Sequence, residues 1–196
     1  MLVGALVAFV VMLNTGSYLY AVIAATIASG LVSMLHGFVC LILRASQIAS
    51  GLALTFFGTG LSGLFGDKLT GETVEPLSRI PIPVLSSIPV VGPMLFNQDA
   101  LVYFSYLCVI LSWLLLFKTR LGLNIRSMGE APEVCDSLGL SVIGYRFFAV
   151  VGGGMLIGIG GAYFPLALTP FWVDGITAGR GSVSYTHLTL PTKRIV

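Results

Sequence analysis

Long apolar runs separated by short polar stretches dominate the sequence. Four of them cover residues 18–43, 48–65, 101–117 and 143–168. Each approaches or exceeds the roughly 20 residues that a helix needs to cross the hydrocarbon core of a bilayer. A shorter run, 1–13, precedes a turn-forming stretch and is expected to be the end of a further span. The pattern predicts an all-α, polytopic membrane helix bundle of about five spans or part-spans.

Small residues recur at helical spacing in two of these runs. In the run 18–43 they are Ala21, Ala25, Ser29, Ser33 and Gly37. In the run 48–65 and just beyond they are Gly51, Thr55, Gly58, Ser62 and Gly66. Residues three or four apart share a helix face, and small side chains let membrane helices approach closely. In the final run, the pair Gly154 and Gly158 predicts either a tight helix crossing or a locally unwound helix.

Two polar segments separate the runs. Segment 67–98 contains five prolines, which are incompatible with a regular helix, so an irregular surface loop is expected there, with room for a short interfacial helix. Segment 118–142 is basic at its start and acidic afterwards. It is expected to be a solvated loop containing one short helix, which begins near Pro132 and stops at Gly139.

Basic residues set the predicted orientation, because Lys and Arg concentrate on the cytoplasmic side of a membrane. If each run crosses once, one side receives Arg44, Lys118, Arg120, Arg126 and Arg146. The other side receives only Lys68, Arg79 and Arg180. Segment 118–142 is therefore predicted to be cytoplasmic, whereas segment 67–98 and the surroundings of Trp172 are predicted to face outward.

Composition agrees with a membrane location. The chain of 196 residues is 56% hydrophobic and only 9% charged. A soluble domain carries about 25% charged residues. The net charge of +2 comes from Lys193 and Arg194, so no nucleic-acid partner is predicted. Cys40 and Cys108 lie within apolar runs and Cys135 lies in the charged segment, so no disulfide framework is predicted. Zinc sites use closely spaced pairs of ligands, which these separated thiols do not provide.

An enzymatic alternative rests on residues 60–63, whose sequence GLSG matches the GxSG nucleophile motif of rhomboid-type intramembrane proteases. A serine hydroxyl such as that of Ser62 is a weak nucleophile without an imidazole in hydrogen-bond reach. The histidines are His36, near the end of the preceding run, and His187, in the polar tail. A protease is therefore disfavoured. The sequence also lacks the GxxxxGK[ST] motif, so this chain does not hydrolyse ATP by the P-loop route.

The acidic segment GEAPEVCDSLG at 129–139 resembles the coupling segment of permease subunits of binding-protein-dependent ABC importers, approximately G-x-N-x-x-A-A-x-x-x-G-I. Departures from that motif are Ala131 for Asn, Val134 and Cys135 for a small pair, and Leu140 for Ile. Blocks 43–66 and 168–181 look like the nucleoside-type branch of the ribose and branched-chain amino acid permease family. The resemblance implies ATPase coupling by Gly129, Glu130, Ala131, Pro132, Glu133, Val134, Cys135 and Gly139.

The resemblance also implies a function, which is alternating-access movement of a small polar solute across the bacterial plasma (inner) membrane. A nucleoside is the expected solute, and a ribose-type sugar is the alternative. Implied partners are ABC ATPase subunits that hold ATP and Mg²⁺, a second permease copy or paralogue, and an extracytoplasmic solute-binding protein. No cofactor or metal is expected on this chain itself. A non-ABC secondary carrier is the other alternative, but such carriers often need an ionisable residue inside a span, and Arg146 lies only at a span's edge.

The expected solute pathway consists of hydroxyl-bearing residues in the third run and polar or aromatic residues after the last run. These are Ser50, Thr55, Thr59, Ser62, Trp172, Thr177 and Arg180. Trp172 is placed to stack on a flat base, unless it is an interfacial anchor, and the hydroxyls either line the pathway or bond their own helix. Residues 1–181 are expected to be a permease domain truncated at both ends. The polar tail 182–196 is expected to be artefactual or disordered.

Overall fold

A computed structural model describes residues 1–81, 97–173 and 175–180 of the chain. Its α-helices are α1 (Leu2–Thr15), α2 (Tyr18–Gly37), α3 (Gln47–Gly66), α4 (Ala100–Lys118), α5 (Arg120–Glu130), α6 (Pro132–Ser137) and α7 (Val142–Tyr163). Wider π-helical turns, Phe38–Ile42 and Phe164–Leu168, continue α2 and α7, and a 3-10 turn, Asp67–Leu69, continues α3. With these extensions, α2, α3, α4 and α7 are long and apolar enough to cross a membrane. The predicted all-α membrane bundle is confirmed.

Helices α2 and α7 form the most extensive contact of the bundle, and small residues allow it. A Cβ added at Gly158 would lie 2.7 Å from the carbonyl oxygen of Ala25 and 2.7 Å from Cβ of Ser29. One added at Gly154 would collide with the side chain of Ser33. Helix α7 continues through both glycines, so they make a tight crossing rather than an unwound segment.

Residues 1–13 were expected to be the end of a span, and the helix that they form, α1, lies deep within the bundle. Ala5, Ala8 and Phe9 are fully buried, because α1 packs against both α2 and α7. It ends at Gly16, whose φ of 64° is the left-handed conformation that glycine adopts readily. The short helix is therefore the centre of the described core.

Helix α4 is the opposite case. None of its residues is buried, and it contacts mainly α5 and the strand that precedes it. That strand, β2 (Asn97–Asp99), pairs antiparallel with β1 (Arg79–Pro81). The two strands lie in the segment predicted to be an irregular loop, and residues 82–96 between them lie outside the described residues.

Contacts between loops and helix ends place the polar segments at two opposite ends of the helix bundle. At one end, the N–H of Val74 donates a hydrogen bond to the carbonyl of Pro170 (3.0 Å). At the same end, the N–H of Leu77 donates to the carbonyl of Leu166 (3.0 Å). At the other end, α5 contacts the beginning of α7. The alternation of sides along the chain therefore agrees with the predicted topology, and the assignment of the α5 side to the cytoplasm stays a prediction.

The segment predicted as a loop with one short helix holds two helices instead. The side chain of Thr119 caps α5 by accepting a hydrogen bond from the N–H of Gly122 (3.1 Å). Gly122 and Met128 are buried, so α5 is an amphipathic helix whose apolar face packs onto the bundle. The second helix, α6, begins at Pro132 as predicted and is followed by Gly139 at φ 77°.

Candidate functional site

A cavity of about 470 Å³ lies between α1, α2, α3, α7 and the chain that follows α7. Its lining is Met1, Leu2, Val3, Ser29, Val32, Ser33, Leu54, Thr55, Gly58, Thr59, Gly154, Ile157, Gly175, Thr177, Ala178 and Gly179. Ser29, Thr55 and Gly154 each lie close to the middle of a membrane-spanning helix. We call this space the mid-depth cavity, because it falls at half the height of the bundle.

Three of the predicted pathway residues, Thr55, Thr59 and Thr177, meet in the mid-depth cavity. The hydroxyl of Thr55 donates to the carbonyl of Gly51 (2.8 Å), and that of Thr59 donates to the carbonyl of Thr55 (3.1 Å). These are the bonds within the helix that the alternative interpretation expected. A hydroxyl that donates in this way keeps acceptor lone pairs, so both threonines can still accept a hydrogen bond from a solute.

The segment 175–179 reaches the middle of the bundle without being helical. Gly175, Ala178 and Gly179 have φ angles of 68°, 43° and 69°, and Thr177 beside them is only 9% exposed. Non-helical backbone at membrane depth is tolerated only where it is buried in protein or lines a water-filled space. The irregular segment therefore forms one wall of the cavity.

Ser50 and Ser62 lie elsewhere. Ser50 bonds to His36, with 3.0 Å between its Oγ and Nδ1, and Cys40 lies 3.7 Å from Nε2 of the same ring. Ser62 is 2% exposed, and its hydroxyl finds no hydrogen-bond partner among the described residues. It lies about 18 Å further along α3 than Ser50 at the helical rise of about 1.5 Å per residue. His36 therefore pairs with Ser50, and the Ser62–His36 pair that a protease would need is not formed.

Trp172 and Arg180 also lie outside the cavity lining. Trp172 is 2% exposed and packs against Phe9 with ring centroids 5.7 Å apart. The guanidinium of Arg180 lies 5.4 Å from the centre of the Phe164 ring. The indole is thus part of the hydrophobic core, where it packs against Phe9 of α1. Its role in stacking on a base stays a prediction, because the buried indole is not open to a solute in this structure.

Replacing Trp172 by alanine separates the two roles. Truncating a buried aromatic side chain costs about 3–5 kcal/mol, so Trp172→Ala is expected to lower the thermal stability and the yield of folded full-length protein. Trp172→Phe keeps an aromatic ring beside Phe9 and loses part of the ring volume together with an indole N–H that has no partner among the described residues, so it should be destabilised less than Trp172→Ala and accumulate to a higher level. If Trp172→Ala accumulates normally and loses solute uptake, the core role is wrong.

Most of the coupling residues predicted from the sequence are exposed, and they lie at the end of α5 and along α6. Gly129, Glu130, Ala131, Glu133, Val134 and Gly139 are exposed, Pro132 is half-buried, and Cys135 is buried. The Cys135 thiol lies 3.4 Å from the hydroxyl of Ser127, which joins α6 to α5. The acidic surface is therefore partly helical and is bonded to α5.

Helix α5 is in turn attached to two membrane helices. The amide of Asn124 donates to the Tyr145 hydroxyl (3.1 Å), and Arg146 donates to the Met128 carbonyl (3.3 Å), so α5 is bonded to α7. The guanidinium of Arg126 lies 4.6 Å from the centre of the Phe117 ring of α4. Arg146, the ionisable residue considered for a secondary carrier, thus serves as a link between helices.

A bundle of apolar, membrane-length helices with surface helices bonded to the spans is the architecture of a multi-pass membrane protein. Residues 1–185 match the family model described as the permease component of branched-chain amino acid transport systems. The chain belongs to this family. It is therefore a multi-pass protein of the inner membrane, and its family is one of transport permease components, as the sequence resemblance predicted.

Three curated relatives refine the comparison. A putative glucose ABC transporter permease of Haloferax volcanii is 38% identical over 94% of this chain and 57% of its own length. A nucleoside ABC transporter permease of Lactococcus lactis is 36% identical over 84% of this chain and 53% of its own length. A guanosine ABC transporter permease of Bacillus subtilis is 31% identical over 86% of this chain and 54% of its own length. The chain thus spans about half the length of the curated relatives it matches. No solved structure is a significant match.

Proposed function

We propose that the protein to which this chain belongs is the membrane-spanning permease of an ABC importer that moves a nucleoside by alternating access. The observation that carries the proposal is the mid-depth cavity, where Thr55, Thr59 and Thr177 offer hydroxyl groups to a solute. A nucleoside carries ribose hydroxyls and base N–H groups that such acceptors can bind. The likeness to a nucleoside permease and to a guanosine permease supports the choice of solute.

Energy is proposed to enter through α5 and α6 from ABC ATPase subunits that hold ATP and Mg²⁺. The exposed residues Glu130 and Glu133 offer charge to such a partner, and the bonds from Asn124 and Met128 to α7 transmit its motion to a membrane helix. This link favours an externally powered permease over a secondary carrier.

Two further partners complete the proposed importer. A second permease copy or paralogue would enclose the solute path, and an extracytoplasmic solute-binding protein would deliver the solute to the side on which β1 and β2 lie. A sugar is the second candidate solute, because the 38% identical relative is a putative glucose permease and sugar hydroxyls suit the same lining.

Uptake by the complete importer tests the proposal. The full-length permease, its ATPase and its binding protein are reconstituted in proteoliposomes and supplied with radiolabelled uridine, guanosine, glucose or leucine. We expect ATP-dependent uptake of the nucleosides that exceeds uptake of glucose and leucine. Uptake of glucose alone would move the assignment to the sugar candidate, and uptake of leucine alone would refute both.

A further inference from the structure

Among the described residues, one side-chain hydrogen bond joins α2 to α3, between His36 and Ser50, whose Nδ1 and Oγ atoms are 3.0 Å apart. On α2, His36 follows the cavity residue Ser33 by three residues, or about 4.5 Å at the helical rise. On α3, Ser50 precedes the cavity residue Thr55 by five residues, or about 7.5 Å. The bonded pair therefore lies directly beyond the lining of the mid-depth cavity, toward one end of the bundle.

That end of the bundle is the one that carries α5 and α6. A Cβ added at Gly37, next to His36, would lie 3.2 Å from the ring of Phe147 near the start of α7. The neighbouring residue Arg146 donates to the Met128 carbonyl of α5. The His36–Ser50 bond therefore lies between the cavity and the side on which the ATPase is proposed to act.

Helix α3 is packed unevenly along its length. Its buried residues, Gly58, Ser62 and Gly66, all lie in its second half. A Cβ added at Gly58 would lie 3.8 Å from the Val3 side chain, so this half rests on α1. None of residues 47–57 in the first half is buried. In the described structure, the first half of α3 is thus held to α2 chiefly by the bond between Ser50 and His36.

The connection between α2 and α3 has two irregular features. The π-helical turn Phe38–Ile42 ends α2, and Arg44 beyond it has a φ of 53°. Left-handed conformations are uncommon for residues other than glycine, and they concentrate at switch regions, as π-helical turns do at functional sites. Hinges lie at such element ends, where a few residues absorb a change of φ and ψ. Residues 38–46 are therefore suited to act as a hinge for the first half of α3.

We propose that His36 and Ser50 form a gate of the solute path on the side of α5 and α6. While the two side chains are bonded, the cavity is closed toward that side. When the bond breaks, the first half of α3 swings about residues 38–46 and opens the cavity there, whereas α2 and α7 stay joined at the tight crossing of Gly158. This inference rests on the proposed function for the role of the cavity, and it adds the contact that controls access to it.

Access of a reagent to the cavity tests the gate without any transported solute. Thr55→Cys is made in the full-length importer after Cys40, Cys108, Cys135 and any further cysteines are replaced by alanine. A charged, membrane-impermeant methanethiosulfonate is added from the α6 side in the absence of nucleotide, and the reaction is timed. Adding Ser50→Ala is expected to speed the reaction about fivefold, the equivalent of one hydrogen bond of about 1 kcal/mol. Adding Ser50→Thr, which keeps the hydroxyl, should leave the rate unchanged.

Cross-linking tests whether α3 must move. In the same cysteine-free background, His36→Cys and Ser50→Cys are joined by a short bis-methanethiosulfonate. ATP-dependent uptake of radiolabelled uridine in proteoliposomes should fall at least tenfold and return when dithiothreitol cleaves the link. The matched control joins Gly37→Cys to Phe147→Cys, which links α2 to α7 at the same depth and should leave uptake unchanged.

The two measurements separate failure of the gate from failure of the proposed function. If Ser50→Ala does not change the reaction rate of the Thr55→Cys thiol, or if the cross-linked His36–Ser50 pair keeps full uptake, the gate is wrong and the proposed function stands. Equal loss of uptake in both cross-linked pairs would show that α2 and α7 also separate, and would overturn the assignment of the motion to α3. If the unaltered importer takes up neither uridine nor glucose, the proposed function fails, and the reaction rates still decide whether the pair controls access to the cavity.

Discussion

Replacing Gly158 by valine is expected to prevent accumulation of folded full-length protein. The new Cβ would lie 2.7 Å from the carbonyl oxygen of Ala25, and this backbone atom cannot yield without separating α2 from α7. Overpacking a core typically costs about 1–3 kcal/mol. Here the obstacle is the backbone of the most extensive helix contact in the bundle, so the cost falls on the whole fold. The measurement is the yield and thermal stability of monodisperse protein in detergent.

The matched control for Gly158→Val is Gly153→Val in the same helix. A Cβ added at Gly153 meets no atom within 4 Å, so this variant carries the same change in helix propensity without the steric conflict. Gly153→Val should accumulate close to normally in the complete protein. Equal yields of the two variants would show that α2 and α7 do not cross at Gly158.

Reversing charge or removing the glycine at the α6 surface is expected to uncouple transport from ATP hydrolysis. Gly139 has a φ of 77°. This left-handed conformation costs other L-residues about 1–2 kcal/mol, so Gly139→Arg would alter the path from α6 into α7. Glu133→Arg places a positive charge at the first turn of α6, where the partial charge of the helix end is already positive. Each variant should lose about tenfold in solute-stimulated ATP hydrolysis and uptake, equivalent to about 1.4 kcal/mol of coupling.

Glu72→Arg is the control for charge reversal. Glu72 is also exposed, but it lies next to the 3-10 turn at the opposite end of the bundle from α6. ATP hydrolysis and uptake by this variant are expected to stay near those of the unaltered importer. Full coupled activity of Glu133→Arg and Gly139→Arg at normal abundance would exclude α6 as the coupling element.

The membrane-spanning helices were predictable because the bilayer imposes a local rule. A helix must bury about 20 apolar residues to cross hydrocarbon, so hydropathy alone located α2, α3, α4 and α7. The small-residue faces were also predictable, since residues four apart share a helix face whatever surrounds them. Ala25 and Ser29 do lie against Gly158.

Helix α5 was missed for an equally physical reason. Its sequence mixes charged residues such as Arg126 with Leu121 and Leu123. Without knowledge of the bundle against which it packs, this mixture is typical of a solvated loop. The Thr119 cap and the burial of Met128 make it helical, and that burial requires the bundle to be present. Amphipathic spacing was the signal that could have identified it.

The sequence by itself determined the class of protein, the membrane-spanning helices and the short helix that begins at Pro132. Tertiary structure alone decided which hydroxyls meet, because Thr59 and Thr177 are far apart in sequence and only the return of the chain after α7 places both at the cavity. It also moved Trp172 into the core against Phe9 and paired Ser50 with His36. The spacing of residues in the sequence determines which side chains share a helix face. The packing of segments that are distant in sequence determines which of those faces line the cavity.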